Sequence, residues 1–412
     1  MDRKITENNF EEIYKTKIEP NIRKLETYRL EQKKQYDKYF KIAMICLVPI
    51  LVIMFGFPVV FTVFSALGGL ILIFTPLLFL IIFISLIVFL VVLLKFHSKC
   101  SKIWDEFKET IKPLLLKPLL SCFGNFLIVK REIISLKEIN SFGLYLSANT
   151  KKDDDIIVGT YKDIPMSIIE TKLTHVSGGK HKTTITDFRG LILKIKMNKC
   201  FKGITVGKQK RNIDSYMKLL KAVSQKNPEV ISPETIKNYE NSGFMAMLKA
   251  QKLESNDSLV INDIQTNRPK KLEKINLEDP EFNKSYNIYS DSQVESRYLI
   301  TPSFMERLKN IQFTFCCYSV DFVFSNEYLY LFIDDSLSSE FRNSKVKDYG
   351  GIKFYDNQND DWFHADSGYG FFEVGDIKHT LINKKRYKKV FEELVSIFSL
   401  VDYFKLNEKT GL

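Results

Sequence analysis

The chain has 412 residues, of which 45% are hydrophobic and 26% charged, and a formal net charge of +11. Six cysteines in such a length exclude a disulfide-dense secreted module, and the apolar content excludes a wholly disordered chain. The positive charge leaves two partner classes, anionic lipid and nucleic acid, beside the plain reading of a lysine-rich solubilising surface.

Residues 1–41 read as a cytoplasmic helical stalk. Phe10, Ile13, Tyr14 and Ile18 recur at helical spacing before Pro20 interrupts. Ile22, Leu25, Tyr28, Leu30 and Tyr36 then make a second stripe among lysines. The segment Ile42–Leu94 contains no Asp, Glu, Lys, Arg or His. As one helix it would run about 80 Å at ~1.5 Å per residue, against a bilayer core of about 30 Å. Two transmembrane spans fit instead, about 42–64 and 70–94. Their turn falls within Gly56–Gly69, where Gly56, Phe57, Pro58, Ser65, Gly68 and Gly69 supply breakers. A signal peptide has a shorter apolar region, and a soluble hairpin needs a polar face. Lys33, Lys34, Lys38 and Lys41 before the stretch, with Lys95, Lys99 and Lys102 after it, place both termini in the cytoplasm. The spans hold no ionisable group of the kind that marks ion pathways, so a transport role would require an oligomer.

Residues 95–125 form a juxtamembrane helix. Ile103, Trp104, Phe107, Ile111 and Leu115 lie on one side, and Pro113 and Pro118 break or kink it. Cys100, beside the membrane, is placed for palmitoylation if the cell is eukaryotic. Residues 126–228 are β-rich: Phe126–Val129, Ile156–Tyr161, Met166–Leu173, Phe188–Met197 and Gly203–Val206 carry β-branched and aromatic residues between turn signals. A hairpin turn is expected at Asp163–Pro165 and a helix over Ile213–Ser224. Residues 229–279 read as a polar insertion or linker, with a short helix around Gly243–Leu253 and an exposed linker at Ser255–Leu272.

The last subregion, 280–412, is α+β. It starts with a strand at Tyr286–Tyr289. Asp291 is expected to cap a helix over Gln293–Leu299, and Thr301 to cap a second helix opened by Pro302. Phe313–Cys317, Val320–Phe324 and Tyr328–Ile333 read as strands, with a turn at Ser325-Asn326-Glu327. Lys384–Phe404 closes the chain as a helix. The class is therefore α+β: an N-terminal two-helix transmembrane hairpin followed by a cytoplasmic antiparallel β-sheet domain with packing helices.

Several segments carry a resemblance. Tyr286-Asn287-Ile288-Tyr289-Ser290-Asp291, Glu295-Ser296-Arg297-Tyr298-Leu299-Ile300-Thr301-Pro302, Met305-Glu306-Arg307-Leu308 and Tyr328-Leu329-Tyr330-Leu331-Phe332-Ile333 resemble the bacterial domain of unknown function 3137 family. Phe188-Arg189-Gly190-Leu191 and Phe201-Lys202-Gly203 resemble its middle. The resemblance implies two N-terminal spans and a bacterial inner (plasma) membrane, multi-pass. It also implies a setting beside LemA-type membrane proteins, which makes such a protein a candidate partner. It implies no catalytic residue, and residues 229–270 and 343–376 exceed the family pattern.

Asp291, Glu295 and Arg297, together with Thr301, make the densest polar group in that block, with Asp291 and Glu295 one helical turn apart and Arg297 close by. They are the candidate catalytic set, and their plainer reading is helix capping and ion pairing. Lys194, Lys196, Lys199, Lys202, Lys208, Lys210 and Arg211 form one candidate lipid-binding run. Lys384, Lys385, Arg386, Lys388 and Lys389 form another, set against a helix dipole that disfavours them. His175 and His181 flank a Gly-Gly loop without further ligands. Asp153-Asp154-Asp155 and Asp360-Asp361 with Asp366 match no calcium-loop spacing, so no metal and no cofactor is assigned. No nucleic-acid motif, phosphate loop or nucleophile elbow is present. The expectation is a bacterial inner-membrane protein whose cytoplasmic domain is a binding or adaptor module for a protein partner or an anionic lipid surface. A membrane-anchored enzyme using the Asp291 region and an oligomeric transport component are the alternatives.

Overall fold

The computed structural model describes residues 9–65, 71–178, 182–211, 213–226, 258–262, 268–315, 317–334, 344–349, 352–357 and 377–403, with a few single positions between them. Helix α1 spans Glu19–Ser65 and helix α2 spans Ile71–Leu120. They run antiparallel: Tyr28 stacks on Phe107 at 6.1 Å, Tyr36 meets Trp104 at 6.3 Å, and Tyr39 meets Phe96 at 5.9 Å. Pro20, Pro58, Pro113 and Pro118 all lie within these helices. The expected breaks at Pro20, Pro113 and Pro118 are therefore overruled by packing of the buried residues around them. Helix α1 ends at Ser65 and α2 begins at Ile71, where the expected segments 42–64 and 70–94 divide. Most side chains of 43–82 are not among those described. Among the described residues no helix is long and apolar enough to cross a membrane.

Before α1, Tyr14–Ile18 forms a π-turn. Phe10, Tyr14, Ile18 and Ile22 are all buried, and they recur every four residues. An α-helix has ~3.6 residues per turn, so such a stripe would drift around the axis. The wider π-turn takes up the excess and keeps the stripe facing the core.

The sheet follows from alternation. Strands β1 (Asn125–Ile128), β2 (Thr150–Tyr161), β3 (Ile164–Ser177) and β4 (Thr183–Gln209) pair antiparallel in sequence. Lys162 and Asp163 join β2 to β3 with positive φ of 48° and 67°, the two-residue turn whose twist suits a hairpin. Helices α3 (Leu136–Ser141), α4 (Ile213–Lys226) and α5 (Pro280–Ser285) lie between strands, and β5 (Ser258–Asn262), β6 (Pro269–Ile275) and β7 (Tyr286–Ser290) join the same sheet. The order is β1-β2-β3-β4-β7-β6-β5, with β8 (Ser319–Asp334) also on β4. Ser344–Tyr349 (β9) and Ile352–Asn357 (β10) make a separate ladder.

A straight run of the length of β8 would extend about 50 Å at ~3.3 Å per residue. Yet the Tyr318 N–H donates to the Asp334 carbonyl at 2.7 Å. The run therefore doubles back, at Asn326 with φ 54°, where the sequence places a turn. Strand β4 wraps this hairpin. Gly190–Lys196 pairs with Asp334–Tyr328, and Ile204–Gly207 pairs with Ser325–Phe322.

Both sheet faces are covered, which explains the near-continuous apolar runs of β4 and β8. On one face Leu191, Leu193, Ile195, Phe322 and Leu331 meet α2, helix α7 (Pro302–Phe315) and helix α8 (Lys384–Tyr403). Phe398 of α8 anchors this core, 4.5 Å from Phe123 and 4.7 Å from Phe126. On the other face Ile169, Phe188, Ile192 and Phe332 meet the segment around α3. Strands from both sides of 229–279 share this one sheet. The linker read at Ser255–Leu272 instead contributes β5 and the start of β6, with Ile261 and Leu272 buried. Lys270, Lys271 and Lys274, spread over both faces of β6, disguise it, as is usual near a sheet edge. Gly243–Leu253 lies outside the described residues.

Candidate functional site

The densest charged cluster lies where α2 crosses the sheet. A bulge between Asp153 and Ile156 in β2 sets Asp154 and Asp155 beside Glu170 of β3. Their carboxylate oxygens lie within 4.8 Å of one another. Lys112 of α2 pairs with Asp155, the two side chains only 8% and 6% exposed. Lys108, one helical turn earlier, reaches Asp154 at 2.9 Å. Burial raises the Asp154 carboxyl, but Lys112 and Lys108 outweigh it and hold the group below the usual carboxylate range. Three carboxylates so spaced have the donors for a divalent cation. Here two ammonium groups pair with Asp154 and Asp155, so the arrangement acts as an ionic junction between the helix pair and the sheet.

A second buried network closes the β4–β8 wrap. Asp321 accepts from the Gln209 N–H at 2.8 Å and from the Tyr145 hydroxyl at 3.1 Å. Arg211 reaches Asp334 at 3.3 Å and Asp321 at 4.0 Å, with its guanidinium over the Tyr145 ring. Burial, and then the Asp321 charge, push the Tyr145 phenol well up, so it stays a donor. Arg211 is thus a structural cation here.

Of the three candidate catalytic residues, Asp291 and Glu295 come together beside Gly203, where a Cβ would stand 2.3 Å and 3.1 Å from their carboxylate oxygens, and Arg297 lies apart. One Asp291 oxygen accepts the Ile204 N–H at 3.0 Å, and the other pairs with Lys270. Gly203 permits this, because a Cβ there would stand 2.3 Å from the carboxylate. The cap of α6 (Gln293–Leu299) is Ser292, which accepts from the Glu295 N–H at 3.3 Å, and not Asp291 as expected. Asp291 is held back toward β4 and cannot also serve the helix. Arg297 points away, toward the Asn276 carbonyl at 3.3 Å and Glu278 at 3.8 Å. Thr301 caps α7 as expected.

The basic runs are largely committed within the fold. Lys194 pairs with Glu138 and lies over the Tyr328 and Tyr330 rings. Lys196 pairs with Glu327, and Lys210 donates to the Asn283 carbonyl. Lys208 is half-buried, and the side chains of Lys199 and Lys202 are outside the described set. At α8, Lys384 pairs with Glu11 and Lys389 with Glu393. Lys385 is exposed, and Arg386 and Lys388 are half-buried. His175 pairs with Asp187, which also accepts from Ser147; His181 and Asp360, Asp361 and Asp366 are outside the described residues. Cys100 is buried, which takes it out of reach of acylation.

Lys112, Glu170, Asp321 and Asp334 were not singled out from sequence. Their signal was a charge at an inward position of an apolar element, as in Val320-Asp321-Phe322 and Ile169-Glu170.

Comparison with known families adds one result. The model of a family described as "Protein of unknown function (DUF3137)" matches residues 186–406, from β4 through α8. No curated protein and no solved structure matches the chain.

Proposed function

The chain belongs to the DUF3137 family of proteins of unknown function, and from that premise we propose that it is a membrane-anchored binding module. The single observation carrying the anchor is the exposed side of α2. Phe83, Ile84, Ile87, Leu90, Val91 and Leu94 are large, apolar and exposed, at helical spacing on a two-helix antenna. A contiguous apolar stripe of this kind is costly in water and marks a non-aqueous neighbour. It lies within the uncharged stretch 42–94, and each arm of that stretch, at ~1.5 Å per residue, has the ~30 Å needed for a bilayer core. Both termini and the sheet then lie on the cytoplasmic side of a bacterial inner membrane.

The Asp291 carboxylate is held by Ile204 and Lys270, and Arg297 is turned away from it and from Glu295, which favours binding over catalysis. Val294 and Tyr298 of α6 are 70% and 71% exposed, one turn apart, with Arg297 between them. Tyr and Arg are the residues that anchor protein interfaces, so this face suits a partner protein, a LemA-type membrane protein being one candidate.

Carbonate washing of membranes tests the anchor. The full chain stays in the pellet, and Ile87→Asp/Val91→Asp releases a substantial fraction. Full release of the unaltered chain would end this reading. The partner face is tested in the same membranes with a photo-crosslinking residue at Tyr298. A discrete adduct supports it, and no adduct removes it.

A further inference from the structure

The two helices leave the apolar stripe carrying matched lysines. Lys34, Lys38 and Lys41 recur at i, i+4 and i+7 on α1. Lys95, Lys99 and Lys102 recur at the same spacing on α2. All six are exposed. The antiparallel register sets them at common heights. Tyr39 lies against Phe96 and under the Lys99 ammonium at 5.0 Å, and Tyr36 lies against Trp104. To within a residue or two, Lys41 is level with Lys95, Lys38 with Lys99, and Lys34 with Lys102. The three tiers cover about 10 Å along the axis at ~1.5 Å per residue.

On α2 the change is abrupt and stays on one side of the helix. Ile84, Ile87 and Val91 are followed on the same stripe by Lys95, Lys99 and Lys102. Among the described residues only Lys102 of the six pairs with a carboxylate, Glu106 at 3.8 Å. Stacked like charges repel unless anions lie beside them. Elsewhere, Lys108 and Lys112 farther along α2, and Lys151 and Lys194 of the sheet, are met by carboxylates of the fold. We propose that this lysine collar binds anionic phospholipid headgroups in the cytoplasmic leaflet. The headgroup layer is about 5–8 Å deep on each side of the hydrocarbon. That depth takes the first two tiers, while flexible lysine stems let the third reach it. The inference rests on the membrane reading above and assigns the lipid contact to the collar, away from the strand and α8 clusters.

The test uses the full chain in phosphatidylcholine vesicles carrying a trace of spin-labelled phosphatidylglycerol or spin-labelled phosphatidylcholine. The motionally restricted fraction reports lipid held against the protein. Phosphatidylglycerol is preferred by about fivefold, the factor one well-placed lysine supplies at an anionic surface. The preference falls toward unity in 1 M salt, where the Debye length is about 3 Å. Lys38→Gln/Lys41→Gln/Lys95→Gln/Lys99→Gln abolishes it, while the four Lys→Arg substitutions retain it, which separates charge from misfolding. Equal restriction of the two lipids overturns the collar. So does a preference that survives the Gln variant, or one lost only with Lys384→Gln/Lys385→Gln. Absence of any restricted lipid refutes the membrane reading itself, a different result from restriction without preference.

Discussion

Replacing Lys112 with Met removes the ammonium from the junction of α2 with the sheet and keeps the length of the side chain. Asp155 then remains almost fully buried, with Asp154 and Glu170 within 4.8 Å. Lys108, on the more exposed Asp154 side, and Lys152 still act on Asp154. Deleting one partner of a buried pair costs about 3–5 kcal/mol, because a buried charge is left uncompensated. For a domain of this size that is a fall in Tm on the order of 10 °C. The double change Lys112→Met/Asp155→Leu removes both charges and should recover most of the loss. The assay is thermal unfolding in mild detergent, followed by far-ultraviolet circular dichroism of the sheet. The single variant should also recover relative to wild type as the pH falls toward about 5, because one of the crowded carboxylates then takes up a proton. A loss under about 1 kcal/mol, or a double variant no better than the single, would refute the junction as a buried ionic lock.

Gly207→Ala places a Cβ 2.1 Å from the ring of Phe322, which is itself wedged against Tyr286, Phe304 and Phe324. Overpacking of this kind costs about 1–3 kcal/mol, read as a lower urea midpoint. Ser292→Ala removes the α6 cap and should cost about 1 kcal/mol, whereas Asp291→Ala should free Lys270 and loosen β4 at Ile204; hydrogen exchange of the Ile204 amide distinguishes the two. Burial raises the Glu26 carboxyl, but Arg29 and the Leu381 N–H overcome this and set it below its ordinary 4.5. A depressed folded value stabilises above the unfolded one and is lost as pH falls through the folded one. Glu26→Gln should therefore lower Tm at neutral pH, and the difference from wild type should shrink as pH falls below the ordinary 4.5 and through the depressed folded value.

Much of this was legible one element at a time. The helix Gln293–Leu299, the cap at Thr301, the turn at Asn326 and the final helix follow from local chemistry, which acts within a few residues. The antiparallel sheet follows from alternation. The apolar stretch 42–94 is equally a property of sequence, since hydropathy is summed over neighbours. Tertiary structure decided what depends on distant groups. Prolines read as helix breakers persist inside α1 and α2, because the packed pair holds the helix across them. Ser292 rather than Asp291 caps α6, because Ile204 and Lys270 claim the Asp291 carboxylate. Arg211 reads as a surface cation until β4 wraps β8 and brings Asp321 and Asp334 to it. Whether a charge faces solvent, lipid or another charge is set by contacts far apart in sequence, and no period along the chain encodes them.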